Sequence, residues 1–344
     1  MSFAAHARAQ AEACAALGSP FTARLLRLAA ERLAPGSAVA DRLLTWPEAR
    51  MRPDAAALRL AGALHYLVLT DTAPALKRLY ADPPAGDALF WQVIDEALHT
   101  HEAAILAMLD SAPQTNEVAR SAVLIAAAHW LSARMRLPLV LSELGASTGL
   151  NLLWDHYALE VSGQHYGPPA PVLTLRPDWR GPLPPQTTPV ILSRAGVDLN
   201  PLDPLRDRLR MLAYIWADQH ARHARSAAAL DLAAQLRPAV ARGCAIDWLQ
   251  HRLAQPGPGC LHLVCHTVVW QYLTPEAQAR GQNLLAEAGA RASADAPLAH
   301  LAMEDDGQRP GAGLRLHLWP EDEVIALGRA DFHGRWVDWT APPT

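Results

Sequence analysis

The chain predicts an α/β fold: a doubly wound, mostly parallel sheet preceded by an all-α amino-terminal portion. Three observations carry this prediction. Apolar residues recur at three and four positions through the first 136 residues, short apolar runs alternate with helical stretches from Pro138 onward, and the last four runs have hairpin spacing. The length, 344 residues, suits two domains at about 150 residues each.

In the amino-terminal portion Leu25, Leu28, Ala29 and Leu33, then Leu58, Ala61, Leu64 and Leu69, lie on helix faces. Breaks at Gly18, Pro35, Pro53, Pro83 and Pro113 cut this portion into several helices. A helix over 118–135 ends it, so a helical domain is expected over 1–137 and the sheet domain over 138–344. The run Leu139, Val140, Leu141 reads as a strand, followed by a glycine loop and a helix over 150–157. Residues 167–189 hold eight prolines, too many for an interior helix or a central strand, so 158–189 reads as an insertion with one short strand at 172–175. A strand at 189–192, a turn at 194–196 and a single long helix over 203–236 follow. Further strands are expected at 239–241, 261–265, 298–303, 314–319, 324–327 and 335–339. Helices are expected over 275–291 and from Ile246 to an end near Pro256 and Gly257.

Hydrophobic residues make up 51% of the chain and charged residues 19%, with a net charge of −4. This supports a large core and gives no basic stripe for a nucleic-acid backbone, so no nucleic-acid partner is indicated. The longest apolar run, 122–131, is interrupted by His129 and is shorter than the roughly 20 residues of a membrane span. Arg8, Glu12, Arg24 and Arg27 break any leader-like stretch. Four cysteines without a CxxC pair fit a reducing cytoplasm. The oligomeric state is not legible.

The loop Glu143-x-Gly145-x-Ser147-x-Gly149 lies between a strand and a helix, where glycines let the backbone approach a ligand. Asp198, in Gly196-Val-Asp-Leu-Asn-Pro201, ends the next strand, and a carboxylate there can accept both hydroxyl protons of a ribose. Asp198 and Asn200 equally suit a turn that caps the next helix. The spacing differs from the G-x-G-x-x-G of nicotinamide dehydrogenases, which disfavours a nicotinamide oxidoreductase.

On these residues the arrangement resembles the class I S-adenosylmethionine-dependent methyltransferases, with a Rossmann-like sheet. The first motif resembles 143–149, the second 196–198 and the fourth 264–273. More closely, the whole chain resembles a bacterial family of uncharacterised proteins, domain of unknown function 2332. The phrases that carry this are 114–121, 143–155, 196–203 and 333–339. The methyltransferase resemblance implies a place for Glu143 near the methionine amino group of the cofactor S-adenosylmethionine. It also implies Gly145 and Gly149 beneath the nucleoside, with Ser147 and Asn151 in the same loop, and Asp198 on the ribose. Ser147 stands where the middle glycine is usual, and Cys244 where an acid often meets the adenine amino group; Asp247 is the substitute.

Methyl transfer is an in-line displacement that needs positioning above all, with a base when the acceptor must lose a proton. His266, after a strand at the ligand edge, and Glu304, at the end of the next strand, are the candidate bases, although a lone histidine is more often structural and Glu304 also reads as an exposed strand-end carboxylate. In Gln114-Thr-Asn-Glu117, Asn116 suits a helix cap, and Glu117 with Arg120 suits an i,i+3 pair. Four consecutive polar groups exceed what a cap needs, so Asn116, Glu117 and Arg120 are candidates for binding the methyl acceptor, a small molecule. Two metal patterns fail, and no metal is expected. Strand alternation splits Cys260 and His262 from Cys265, and Glu96-x-x-His99 lacks a second such motif. The expected function is methyl transfer, with a non-catalytic binding or scaffold protein as the alternative.

Overall fold

The structure, a computed structural model, describes residues 1–254 and 257–344. Pro256, at the expected end of one helix, lies outside the described residues. The chain divides into two compact units, residues 1–115 with 205–227, and residues 116–204 with 228–344. This division differs from the expected boundary at 137/138. The helix Ser121–Met135 goes with the sheet, and 205–227 go with the amino-terminal helices.

The first unit is helical. Phe3–Ala16, Pro20–Arg32, Ala38–Leu44, Ala56–Leu69, Pro74–Ala81, Asp87–Thr100 and Glu102–Leu109 follow one another, started by local chemistry. The Ser37 hydroxyl accepts from the Ala40 N–H at 3.1 Å, and Pro20 and Pro74 sit in the first turn, where a missing N–H costs nothing. Their apolar faces meet in one core containing Leu25, Leu28, Leu60, Leu64, Phe90 and Ile94. The single helix expected over 203–236 is two helices, Arg208–Ala213 and His220–Leu236. The chain turns between them because Asp218 is engaged elsewhere: it accepts from the Ser19 hydroxyl and, at 2.8 Å, from the Phe21 N–H. A continuous helix would withdraw that carboxylate.

The second unit is built on strands β1 (Leu139–Leu144), β2 (Ala158–Val161), β3 (Gln164–Tyr166), β4 (Thr174–Leu175), β5 (Asp178–Arg180) and β6 (Ile191–Asp198). They continue as β7 (Val240–Arg242), β8 (Leu261–Thr267), β9 (Leu298–Glu304), β10 (Ala312–Trp319), β11 (Glu323–Ala330) and β12 (Trp336–Trp339). Nine of them form one sheet in the order β5-β12-β11-β10-β9-β8-β1-β6-β7. From β7 to β9 all neighbours are parallel; β10, β11 and β12 add an antiparallel meander, and β5 joins β12 in parallel.

Two local expectations are corrected. No turn occurs at 194–196: β6 runs straight through, with Gly196 paired to Glu143 on one side and Val240 on the other. Glycine is required there for close approach, since a Cβ would stand 2.5 Å from that of Ala146. The helix expected over 150–157 is a 3₁₀ run, Asn151–His156. The proline-rich insertion also holds more than one strand: β2, β3 and β4 make a small second sheet.

Parallel strands need both faces covered. One face carries Leu144, Val197 and Val264 against Leu249 and Leu285, from helices Ala245–Arg252 and Pro275–Gly289. The helix Ser121–Met135 packs on the 3₁₀ run Asn151–His156 and on β2 and is buried from Ser121 through Leu131, which explains its apolar character all round. Among the described residues no helix is long and apolar enough to cross a membrane.

Candidate functional site

The chain passes from β1 outward to β6 and β7, then returns across β1 to β8 and β9. The reversal places a switch point at the carboxyl ends of β1 and β8, where open α/β sheets bind ligands. Glu143 and the loop Gly145–Gly149 lie at one side of it, His266 and Thr267 at the other.

The loop is held from its neighbours. Asp198 accepts the Ser147 N–H on one carboxylate oxygen at 2.9 Å and the Asn200 N–H on the other at 2.8 Å. Ser147 has φ 54°, in the left-handed region that favours glycine, and this hydrogen bond compensates the strain. Asn116 accepts the Leu150 N–H at 3.0 Å. Gly149 packs against Pro238 and Val240. Replacing Asp198 with alanine leaves two loop N–H groups without their acceptor, so the variant is expected to lose about 2 kcal/mol in urea unfolding. An unchanged midpoint and slope would make the carboxylate dispensable to the loop.

Gly145 meets Val269. At φ 69° it occupies a conformation that favours glycine, and a Cβ there would stand 2.4 Å from a Val269 methyl. The segment that delivers Val269 is itself strained, because Val268 is a β-branched residue at φ 58°. Glu304 secures it, accepting the Val269 N–H at 2.9 and 3.1 Å on its two oxygens.

Glu143 is 2% exposed. Its face of β1 is shared with Cys265 and Gly196, its register partners. The Ser121 hydroxyl donates to Asn151 Oδ1 at 2.8 Å, which turns the Asn151 amide toward Glu143. Glu143 Oε2 has no hydrogen-bond partner. Burial pushes the carboxyl up to about 8, with the Asp198 charge adding to the rise and Asn151 and Arg120 opposing it. Arg120 itself donates to the carbonyls of Phe332 at 2.8 Å and Thr267 at 3.0 Å. Glu117 is buried and accepts the Ala119 N–H at 3.1 Å.

His266 lies on the opposite face of the sheet. It is 2% exposed and stacks on Trp270 with ring centroids 4.8 Å apart. Its Nδ1 meets Glu304 Oε1 at 2.6 Å and its Nε2 meets His300 Nε2 at 2.9 Å, so both ring nitrogens are engaged.

The structure thus gathers Glu143, Gly145, Ser147, Gly149, Asn151, Asp198, Asn116 and Arg120 about the end of β1, and His266 with Glu304 behind the end of β8. Cys244 and Asp247 stand apart. Cys244 is exposed before the helix Ala245–Arg252, and Asp247 is exposed and paired with Arg280 at 2.5 Å. Among the described residues no group of three or more His, Cys, Asp or Glu side chains is placed to hold a metal. Sequence reasoning passed over Ser121, His300, Trp270 and Val269. One signal was present: in β9, residues 300, 302 and 304 share a face.

A family described as "Uncharacterized protein conserved in bacteria (DUF2332)" matches residues 4–339, so the chain belongs to that family. No curated protein and no solved structure matches the chain.

Proposed function

We propose that this member of the family binds S-adenosylmethionine at the carboxyl edge of β1 and β8 and methylates a small-molecule acceptor. The observation that carries the reading is the buried Glu143 oxygen without a hydrogen-bond partner, at the switch point of the sheet. A cationic group is the ligand chemistry that such an oxygen lacks, and the cofactor offers an ammonium. When bound, S-adenosylmethionine supplies an electrophilic methyl on a sulfonium. Glu143 would meet its ammonium, with Asn151 orienting the carboxylate. Asp198 retains lone pairs for ribose hydroxyls after its two backbone bonds. Asn116 and Arg120 would border the acceptor. The free state of all four cysteines supports a reducing, cytoplasmic setting.

Calorimetry with S-adenosylmethionine and S-adenosylhomocysteine is the test. Because an ammonium beside Glu143 favours the carboxylate, binding near neutral pH is expected to release up to about one proton, seen as a dependence of the heat on buffer ionisation enthalpy. Absence of heat with both ligands at about 1 mM, where even weak specific binding registers, would overturn the reading.

A second reading, a non-catalytic binding or scaffold protein, is favoured by Val269 lying on Gly145 and by burial of the loop from Ala146 through Leu150. It expects no heat from the wild-type chain.

A further inference from the structure

We propose that Glu304, His266 and His300 form a proton relay whose working end is Nδ1 of His300. The proposal goes beyond the cofactor reading and does not rest on it. His266 cannot take a proton from a ligand directly, since both of its ring nitrogens are occupied, at 2.6 Å by Glu304 and at 2.9 Å by His300. A carboxylate only accepts, so His266 Nδ1 carries a proton. Two imidazole nitrogens facing each other at 2.9 Å need one proton between them, and it belongs to either ring.

The two placements define the relay. With both rings neutral, His300 donates from Nε2 to His266. When a weak acid, such as a hydroxyl or an ammonium, delivers a proton to His300 Nδ1, the Nε2–H bond of His300 breaks and an N–H bond forms at His266 Nε2. His300 ends neutral in its other tautomer. The positive charge rests on His266, against the Glu304 carboxylate. The reverse sequence returns the proton.

The surroundings suit this division of labour. His266 is buried under Trp270, which fixes its plane at 16° to the indole, while His300 is the less completely buried residue of the two. His300 is held well below the ordinary imidazole range by burial first, and then by the charges of His266, Arg315 and His317. It therefore passes a proton on rather than keeping it. Arg315 and His317 face it from β10, with His317 paired to Asp322 at 2.7 Å, and Glu304 is the carboxylate on the far side of His266. Charge is thus drawn away from His300 and toward His266.

The test is long-range proton–nitrogen correlation on the full chain with labelled histidine, from about pH 5 to about pH 9, the range in which imidazoles titrate. His266→Gln and His300→Gln assign the signals. The expected result is that His300 stays neutral throughout but exchanges an Nε2 proton for an Nδ1 proton in step with the appearance of a proton on His266 Nε2. Glu304→Gln removes the carboxylate that draws charge to His266, and the exchange is expected to leave this range. His300 keeping one tautomer across the range, or itself becoming doubly protonated with a midpoint of its own, overturns the relay. Backbone-linked assignment of the wild-type chain identifies the same two rings, so a variant that fails to fold leaves the test intact.

Discussion

Glu143→Gln is expected to stabilise the protein above neutral pH and to flatten its pH profile. The folded carboxyl titrates at about 8, against about 4.3 for an unperturbed glutamate. Between those values the folded chain holds a proton that the unfolded chain has released. Stability from this group is therefore complete below the unfolded value and is lost as pH rises through the folded one, with a slope of about 1.4 kcal/mol per pH unit. Glutamine keeps an acceptor for Asn151 and has nothing to ionise. Urea unfolding at about pH 5, pH 7 and pH 8.5 would show the wild type losing several kcal/mol that the variant keeps. Parallel profiles would mean that Glu143 is not the buried acid. The same substitution removes the carboxylate for a cationic ligand, so binding of S-adenosylmethionine is expected to weaken about tenfold or more. Stability and binding thus move in opposite directions, a pattern expected where a site is held at a cost to the fold.

The second large effect concerns the packing of Val269 on Gly145. Gly145→Ala is expected to destabilise by about 3 kcal/mol, from a left-handed backbone with a Cβ and from crowding of a valine methyl. The steric part is relieved when Val269→Ala is added, so the double variant should recover more than the sum of the single changes predicts. Val269→Ala alone separates the two functional readings. If this side chain closes the crevice, its truncation raises the affinity for S-adenosylmethionine; if the crevice is already competent, truncation costs stability and leaves affinity within about twofold. The measurement is one calorimetric titration beside one unfolding curve for each variant.

The sheet was legible because its strands obey a simple rule: those buried on both faces read as short apolar runs, and β1, β8 and β9 lie within a few residues of the expected positions. What escaped depends on partners distant in the chain. The break between Ala213 and His220 answers to Ser19 and Phe21, almost two hundred residues earlier, and no local signal announces it. Gly196 looked like a turn because glycine usually marks one, whereas its lack of a side chain serves Ala146 on the neighbouring loop. β2 and β3 are three or four residues long, too short for a periodicity to show, whereas β4 lies inside the strand expected at 172–175. At the site, Glu143, Asp198 and the glycines were legible because their chemistry is local. The Glu304–His266–His300 row needed the register between β8 and β9, though strand parity already put 300 and 304 on one face.

The pairing of β5 with β12 joins residues 178–180 to residues 336–338. Residues 178–180 therefore have no β12 to pair with until residues 336–338 have been made. At about 5–20 residues per second, that interval lasts on the order of ten seconds or more on the ribosome. The β5 end of the proline-rich insertion must stay soluble and without its partner during that time. Its proline density, a poor feature for a strand, then guards against premature association with other chains.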